Sequence, residues 1–392
     1  MSLWINAARV VDGSGAPAFH AHVQVEGGLI TRILPAHVAP PVASGDQVVD
    51  AAGRVLMPGF VDAHTHALFA GDRLDEFERA LAGATYLEIL AAGGGILSTV
   101  RALRAASEDQ LTALLGERLR HMLREGTTSV EVKSGYGLTT PHELEMLRAI
   151  RRAARDFPGT LVPTALLGHA LDPAEPALVD RVLSETLPAV HAEFPGIAVD
   201  AFCEHGAWSV PECRRLLSRA RELGHPLRLH TDQFHALGGV ELGLELDALS
   251  LDHLEAATPE GLARLARSGA YGVMLPVTGF HTDQRFAAGR TFLDLGGRLV
   301  LASNYNPGSS PSSSMPFVIA LAVRRLGVTA LEAIRAATST PAALLGLADR
   351  GLVRAGARAD LLLLRHRDER LLGYELGGNP VERVWVNGAE IV

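Results

Sequence analysis

Apolar residues along this chain follow two regimes. Near the start they alternate with polar ones over Leu3 to Val11, His20 to Val25 and Leu29 to Leu34, punctuated by Gly27-Gly28 and Pro40-Pro41. A period of two marks half-buried strands, and paired Gly or Pro marks the turns between them. The same style returns at the other end, where Gly356-Ala357-Arg358-Ala359-Asp360 leads into Leu361 to Leu364, and Val381 to Val392 turns at Asn387-Gly388. Between these ends lie eight short apolar runs near 55–63, 127–133, 161–168, 197–203, 226–230, 247–252, 271–275 and 298–303. Segments such as 109–125 and 142–155 separate them, with apolar residues three or four apart and Arg and Glu between, and so predict helices. Strand and helix alternating eight times predict an α/β fold built on a parallel barrel. The expected barrel spans 56–344, flanked by short strands over 1–55 and 345–392.

Barrel chemistry sits at the carboxyl ends of the strands, so the polar residues closing each run are the candidates. Val55 to Val61, interrupted by Pro58-Gly59, leads into His64-Thr65-His66. Residues i and i+2 of a strand point the same way, so two imidazoles can aim at one point, as a divalent metal requires. A bare His-x-His is more often solvated surface; here it follows an apolar strand and precedes the polar loop Gly71-Asp72-Arg73. The next runs end in Lys133 and Tyr136, in His169, in Cys203-Glu204-His205, in His230 with Asp232 and Gln233, and in Asp252-His253. The seventh offers nothing assignable, and the eighth ends in Ser303-Asn304-Tyr305-Asn306. Histidines on five strand ends crowd one rim. A catalytic metal takes three or four convergent N or O ligands and leaves a position for water. His64, His66 and His230 are the expected set. His253 and His169 then remain for acid–base work or substrate, and His205 and His235 are weaker candidates.

Composition narrows the field. The 392 residues are 47% hydrophobic, enough for one barrel and a smaller domain. Net charge is -8 without a basic cluster, which argues against nucleic acid and leaves a small molecule as the expected partner. No apolar run approaches the ~18 residues of a membrane span. Met1 to Asn6 lacks the basic-then-apolar pattern of a signal peptide. Two cysteines, Cys203 and Cys213, are too few for a disulfide framework and point to a reducing cytoplasm. Of the 36 Lys and Arg residues only Lys133 is a lysine. A chain that avoids lysine yet keeps one suggests that an ammonium is needed there.

The run Pro58 to His66 resembles the amidohydrolase superfamily. A larger set of segments resembles one of its families, the imidazolonepropionases of histidine degradation. Beyond His64-Thr65-His66 with Phe69 to Arg73, the set comprises Gly83 to Tyr86, Ala92 to Ile96, Lys133-Ser134-Gly135-Tyr136-Gly137-Leu138, His230-Thr231-Asp232-Gln233, Asp252 to Glu255, and Asn306-Pro307-Gly308-Ser309-Ser310. It spans nearly the whole chain. The resemblance implies a distorted (β/α)8 TIM barrel with a small β-sandwich domain built from both termini, and a homodimer. It also implies one divalent metal ion, zinc or iron, and hydrolysis of the cyclic amide of 4-imidazolone-5-propanoate to N-formimidoyl-L-glutamate. Arg73 suits the propanoate, with Tyr86, Tyr136 and His169 around ring and carboxylate. Asn306, Gly308 and Ser309 form a loop whose amides suit the product carboxylate. Gln233 can orient substrate or water, and His253 faces the oxyanion. One residue departs from the superfamily pattern. Where an Asp binds metal and takes the proton from water, this chain has Asn304, a neutral and weaker ligand with no useful basicity near neutral pH. Two alternatives stand beside this reading: another cyclic amidohydrolase or deaminase, or a catalytically impaired metal- or ligand-binding relative.

Overall fold

The structure is a computed structural model that describes residues 2–84, 88 and 93–392. Near the start, β1 (Leu3–Val10), β2 (Phe19–Glu26), β3 (Leu29–Pro35), β4 (Gln47–Asp50) and β5 (Val55–Pro58) lie in one sheet. The barrel strands follow: β6 (Phe60–Asp62), β7 (Thr127–Lys133), β8 (Thr160–Gly168), β9 (Ala198–Cys203), β10 (Arg228–Thr231), β11 (Ser250–His253), β12 (Tyr271–Met274) and β13 (Arg298–Leu301). Finally β14 (Leu361–Leu364), β15 (Val381–Val386) and β16 (Ala389–Glu390) return to the first sheet, whose order is β16-β15-β14-β5-β1-β2-β3 with β4 beside β1.

The terminal sheet forks along β1. Leu3–Asn6 pairs with β4, and Arg9 and Val10 pair with β5. A bulge between Ile5 and Ala8 separates the two, with Ala7 in the left-handed region at φ 50. Residues from both ends of the chain, among them Ile5, Val23, Leu56, Leu361 and Trp385, share one apolar core.

The eight barrel strands run parallel in chain order from β6 to β13. Side chains and loops, rather than a ladder, join β6 to β13. The Ser303 amide and hydroxyl donate to Asp62 at 3.1 and 2.5 Å. The Asn304 amide donates to the His64 carbonyl, and the His66 amide to the Tyr305 carbonyl, each at 3.0 Å. Burial pushes the Asp62 carboxyl up to about 7, against the Ser303 bonds. This seam accounts for the distortion of the barrel. It also brings His64, His66 and Asn304 to one place.

The apolar run expected as a single strand over 55–63 divides at Gly59. Val55–Pro58 pairs with β1 and β14, and only Phe60–Asp62 enters the barrel beside β7. A Cβ on Gly59 would lie 2.2 Å from Thr128 Oγ1, so the close approach of the two strands needs glycine. The helix Glu108–Arg124 begins at a capping box of Ser107 and Gln110 and buries Leu111, Leu115, Leu119 and Met122. It covers the outside of β7, and Thr140–Asp156 beside it covers β8, within the main apolar core. No helix among the described residues is long and apolar enough to cross a membrane.

Candidate metal centre

His64 and His66 follow β6, and His230 lies in β10. Their ring nitrogens gather within 4.8 Å of one another, all buried. The His66 and His230 Nε2 atoms face each other at 3.3 Å. Two lone pairs repel at that distance unless a cation or proton lies between them. Two nitrogens each ~2.0–2.1 Å from a tetrahedral ion would be roughly 3.3 Å apart. His64 Nδ1 bonds to Asp252 Oδ2 at 2.6 Å and His230 Nδ1 to Asp200 Oδ1 at 3.1 Å. A proton held on Nδ1 by a carboxylate leaves Nε2 as the bare lone pair. Among the described residues His64 Nε2 is buried without a partner. His66 Nδ1 likewise has no partner among the described residues, and the ring stacks on His169 at 5.0 Å and 21°. Burial pushes all three imidazoles below the usual histidine value, and for His230 it outweighs the opposing pull of Asp200. They are therefore neutral near pH 7, the state that binds metal. Asn304 Oδ1 is likewise buried and unpartnered. This donor set of three neutral imidazoles and an amide oxygen fits a divalent cation.

Several site residues sit in strained backbone. His253, Asp232 and Asn304 have φ of 88, 53 and 53, a region that side-chain-bearing residues adopt rarely and often at functional sites. The His253 ring lies 5.5 Å from that of His230 and 5.9 Å from that of His64. Its Nδ1 is 3.4 Å from Glu255. His169 Nδ1 bonds to the Gly135 carbonyl at 2.9 Å, and burial lowers its pKa to about 3, so Nε2 is free to accept. The Tyr136 ring is 5.1 Å from that of His169. Burial raises its phenol above the usual value, against the nearby Arg73 and Arg118. Tyr136 therefore stays a hydrogen-bond donor. Its loop is tied down by Glu143, which accepts from the amides of Gly135, Gly137 and Leu138 at 2.8–2.9 Å. Gln233 is buried directly after Asp232.

Arg73 is not a free cation. Its Nη2 pairs with Glu76 Oε2 at 2.5 Å, and the side chain is 16% exposed. Glu76 also accepts from the Gly95 amide and the Ser98 hydroxyl. Gly308 lies against Arg73, since a Cβ there would come within 3.4 Å of Nη1. In the Asn306 loop, the Gly308 and Ser309 amides both donate to Asn306 Oδ1 at 2.8 Å. They already have an acceptor inside the loop, and the group adjoining Arg73 is the loop's glycine backbone. Tyr86 lies outside the described residues. His205 and His235 are exposed, with rings 4.7 Å apart and His235 bonded to Glu204 at 2.8 Å, and neither joins the three-histidine group.

Residue-by-residue reading missed the groups behind the histidines, apart from naming Asp252 as the end of its strand. Asp200, Asp252, Glu131 and Arg228 are all buried. The signal was present: each is a charge inside an apolar strand, and Arg228 has the same strand parity as His230. It also missed Thr278, just after β12, whose hydroxyl accepts from Asn304 Nδ2 at 2.8 Å.

Comparison with known proteins shows the family of the chain. A family model described as the amidohydrolase family matches residues 55–391. An imidazolonepropionase of Herpetosiphon aurantiacus is 47% identical over 359 residues, covering 88% of this chain and 84% of its own. One of Deinococcus radiodurans is 44% identical over 371 residues, covering 95% and 92%. Among solved structures, a 5-methylcytosine deaminase from Klebsiella pneumoniae with bound 5-fluorocytosine superposes with TM-score 0.77 at 16% identity, covering 100% of this chain and 97% of its own. An adenosine deaminase from Xanthomonas campestris with bound zinc gives 0.72 at 18% identity, covering 99% and 92%. At such identities the structures speak for the fold alone.

Proposed function

The chain belongs to the amidohydrolase family and, within it, to the imidazolonepropionases, and on that premise we propose how its residues carry out the reaction. The activity is hydrolysis of the cyclic amide of 4-imidazolone-5-propanoate to N-formimidoyl-L-glutamate. The observation that carries the residue assignment is the convergence of His64, His66 and His230, with bare, buried nitrogens, on the rim that also holds Tyr136 and His169. A divalent ion, zinc or iron, held by these imidazoles and Asn304 would polarise the ring carbonyl and make water nucleophilic near neutral pH.

The chain's own groups supply the rest. Arg73, steadied by Glu76, takes the propanoate, with the Asn306-Pro307-Gly308-Ser309 loop alongside. Tyr136 donates to the substrate and His169 Nε2 accepts from it. Tyr86 belongs to the same reading by its motif. Gln233 orients substrate or water but takes no proton. Water adds to the ring carbonyl carbon and the ring C–N bond breaks. His253 accepts the proton from water and passes it to the departing nitrogen, because Asn304 and Gln233 are amides without useful basicity. In the tetrahedral stage His253 also faces the oxyanion. The reading extends to a cytoplasmic homodimer. Two buried cysteines without a disulfide support the compartment, and family resemblance supports the dimer.

The test is to follow imidazolone propanoate hydrolysis with metal analysis of the same preparation. Turnover should be lost on chelation and return with zinc or iron. A fully loaded protein that leaves the substrate intact would refute the reading.

A further inference from the structure

The only lysine of the chain sits behind the metal centre rather than in it. Lys133 Nζ donates to Glu131 Oε1 at 2.8 Å and Asp200 Oδ2 at 2.9 Å, with all three side chains fully buried. Followed in both directions, these contacts form an unbroken ion chain. On one side Asp200 receives His230 Nδ1 at 3.1 Å. On the other, Glu131 Oε1 lies 3.2 Å from Arg228 Nη1, and Arg228 Nη2 donates to Asp252 Oδ2 at 2.7 Å. The same Asp252 oxygen receives His64 Nδ1 at 2.6 Å. Glu131 also reaches the third histidine: its Oε2 accepts from the Thr65 amide at 3.1 Å, and its carbonyl from the Thr65 hydroxyl at 2.7 Å, fixing the residue between His64 and His66.

Resting on the reading of His64, His66 and His230 as metal ligands, we propose that Lys133 is the positioning residue of the metal centre. It is the buried cation through which these ligands, set on separate strands, are held as one unit. It touches neither ion nor substrate. The slot explains the residue type. A compact ammonium fits between two carboxylates on β7 and β9 where a planar guanidinium would need more room, and everywhere else this chain uses arginine.

Two effects of Lys133 oppose each other, which makes the proposal testable by sign. Its charge repels a divalent ion, so acting through space alone its removal would tighten metal binding. Positioning predicts the reverse. Without Nζ, Glu131 Oε1 and Asp200 Oδ2 are left buried without the cation between them. Relief comes by rotation of Asp200, which takes the acceptor from His230 Nδ1.

The experiment compares wild type with Lys133→Met, measuring the zinc Kd by chelator competition, bound equivalents, and the visible spectrum of the cobalt-substituted protein. A ~10- to 100-fold weaker zinc Kd is expected, the range seen when groups supporting metal ligands are lost. The cobalt bands should change as well, which a merely structural loss of stability would not cause. If Lys133→Met fails to fold, Glu131→Gln breaks the same chain with its shape kept, and the same direction is expected. A folded variant with unchanged Kd and cobalt spectrum, a tighter Kd, or a second bound equivalent would overturn the proposal. Failure of the underlying reading looks different: wild-type zinc binding would then be insensitive to His64→Ala and His230→Ala.

Discussion

Replacing Asn304 with Asp measures what a neutral fourth donor does to this centre. Asn304 is 2% exposed, its Oδ1 has no partner, and its Nδ2 donates to Thr278 Oγ1 at 2.8 Å. The backbone need not move, because the amide is tied to the His64 carbonyl and Asp tolerates φ 53 about as well as Asn. The Thr278 hydroxyl can turn and donate to the new carboxylate, so no polar group is orphaned. The perturbation is then one charge. At ~4 Å and an effective dielectric of ~20, a unit charge gains about 8 kcal/mol against a divalent ion. Burying the carboxylate takes back several kcal/mol. A remainder of about 2–4 kcal/mol corresponds to roughly 30- to 700-fold tighter zinc binding. A carboxylate there would share the proton transfer with His253, so kcat should rise by less than the ~10²–10⁴ of a base supplied where none exists. Zinc competition and steady-state kinetics on one preparation read both effects. The metal-free variant should melt at a lower temperature than metal-free wild type, since it adds a carboxylate to a site already containing buried Asp62, Asp200 and Asp252. An Asn304→Asp protein that binds zinc no more tightly would refute the reasoning, and unchanged turnover would show that His253 already supplies the full base catalysis.

Arg73→Ala should raise KM ten- to a hundredfold with metal content unchanged, because a charge-assisted bond contributes ~1.5–3 kcal/mol. Glu76 already shares the guanidinium, so the lower part of that range is expected, and an unchanged KM rules the role out. Glu143→Ala leaves the amides of Gly135, Gly137 and Leu138 without their acceptor. At ~1–3 kcal/mol per orphaned group, unfolding in urea should show a loss of at least about 3 kcal/mol. A loss under ~1 kcal/mol would mean that water replaces the carboxylate.

The barrel was legible because each strand is a short apolar run closed by polar residues. The run over 127–133 and the helix after it are found where periodicity puts them. The histidine trio was legible for a related reason: strand parity and strand ends together place His64, His66 and His230 on one rim. What escaped depends on register between strands. Rarity singled out Lys133, and parity pairs it with Glu131, but only the packing of β9 against β8 brings Asp200 to its Nζ. The pairing of Arg73 escaped differently. Glu76 stands three residues on, at helical spacing, and so could have been read as its partner. The break at Gly59 was hidden because both halves of the run are equally apolar, and hydrophobicity carries no label for which sheet a strand joins.

That break also bears on the order in which the molecule can be assembled. The strand leading into His64 and His66 is anchored through β5, which is held on one edge by β1 and on the other by β14, some three hundred residues downstream. Contacts of such sequence separation form late and slowly. A chain emerging from the ribosome can collapse much of its barrel before Leu361 to Leu364 exist outside it. The first two histidines acquire their final support only when that last segment arrives. Metal capture in its native geometry is thereby timed to the end of synthesis, and a fragment that stops short of β14 would hold the full histidine set without the frame that aligns it.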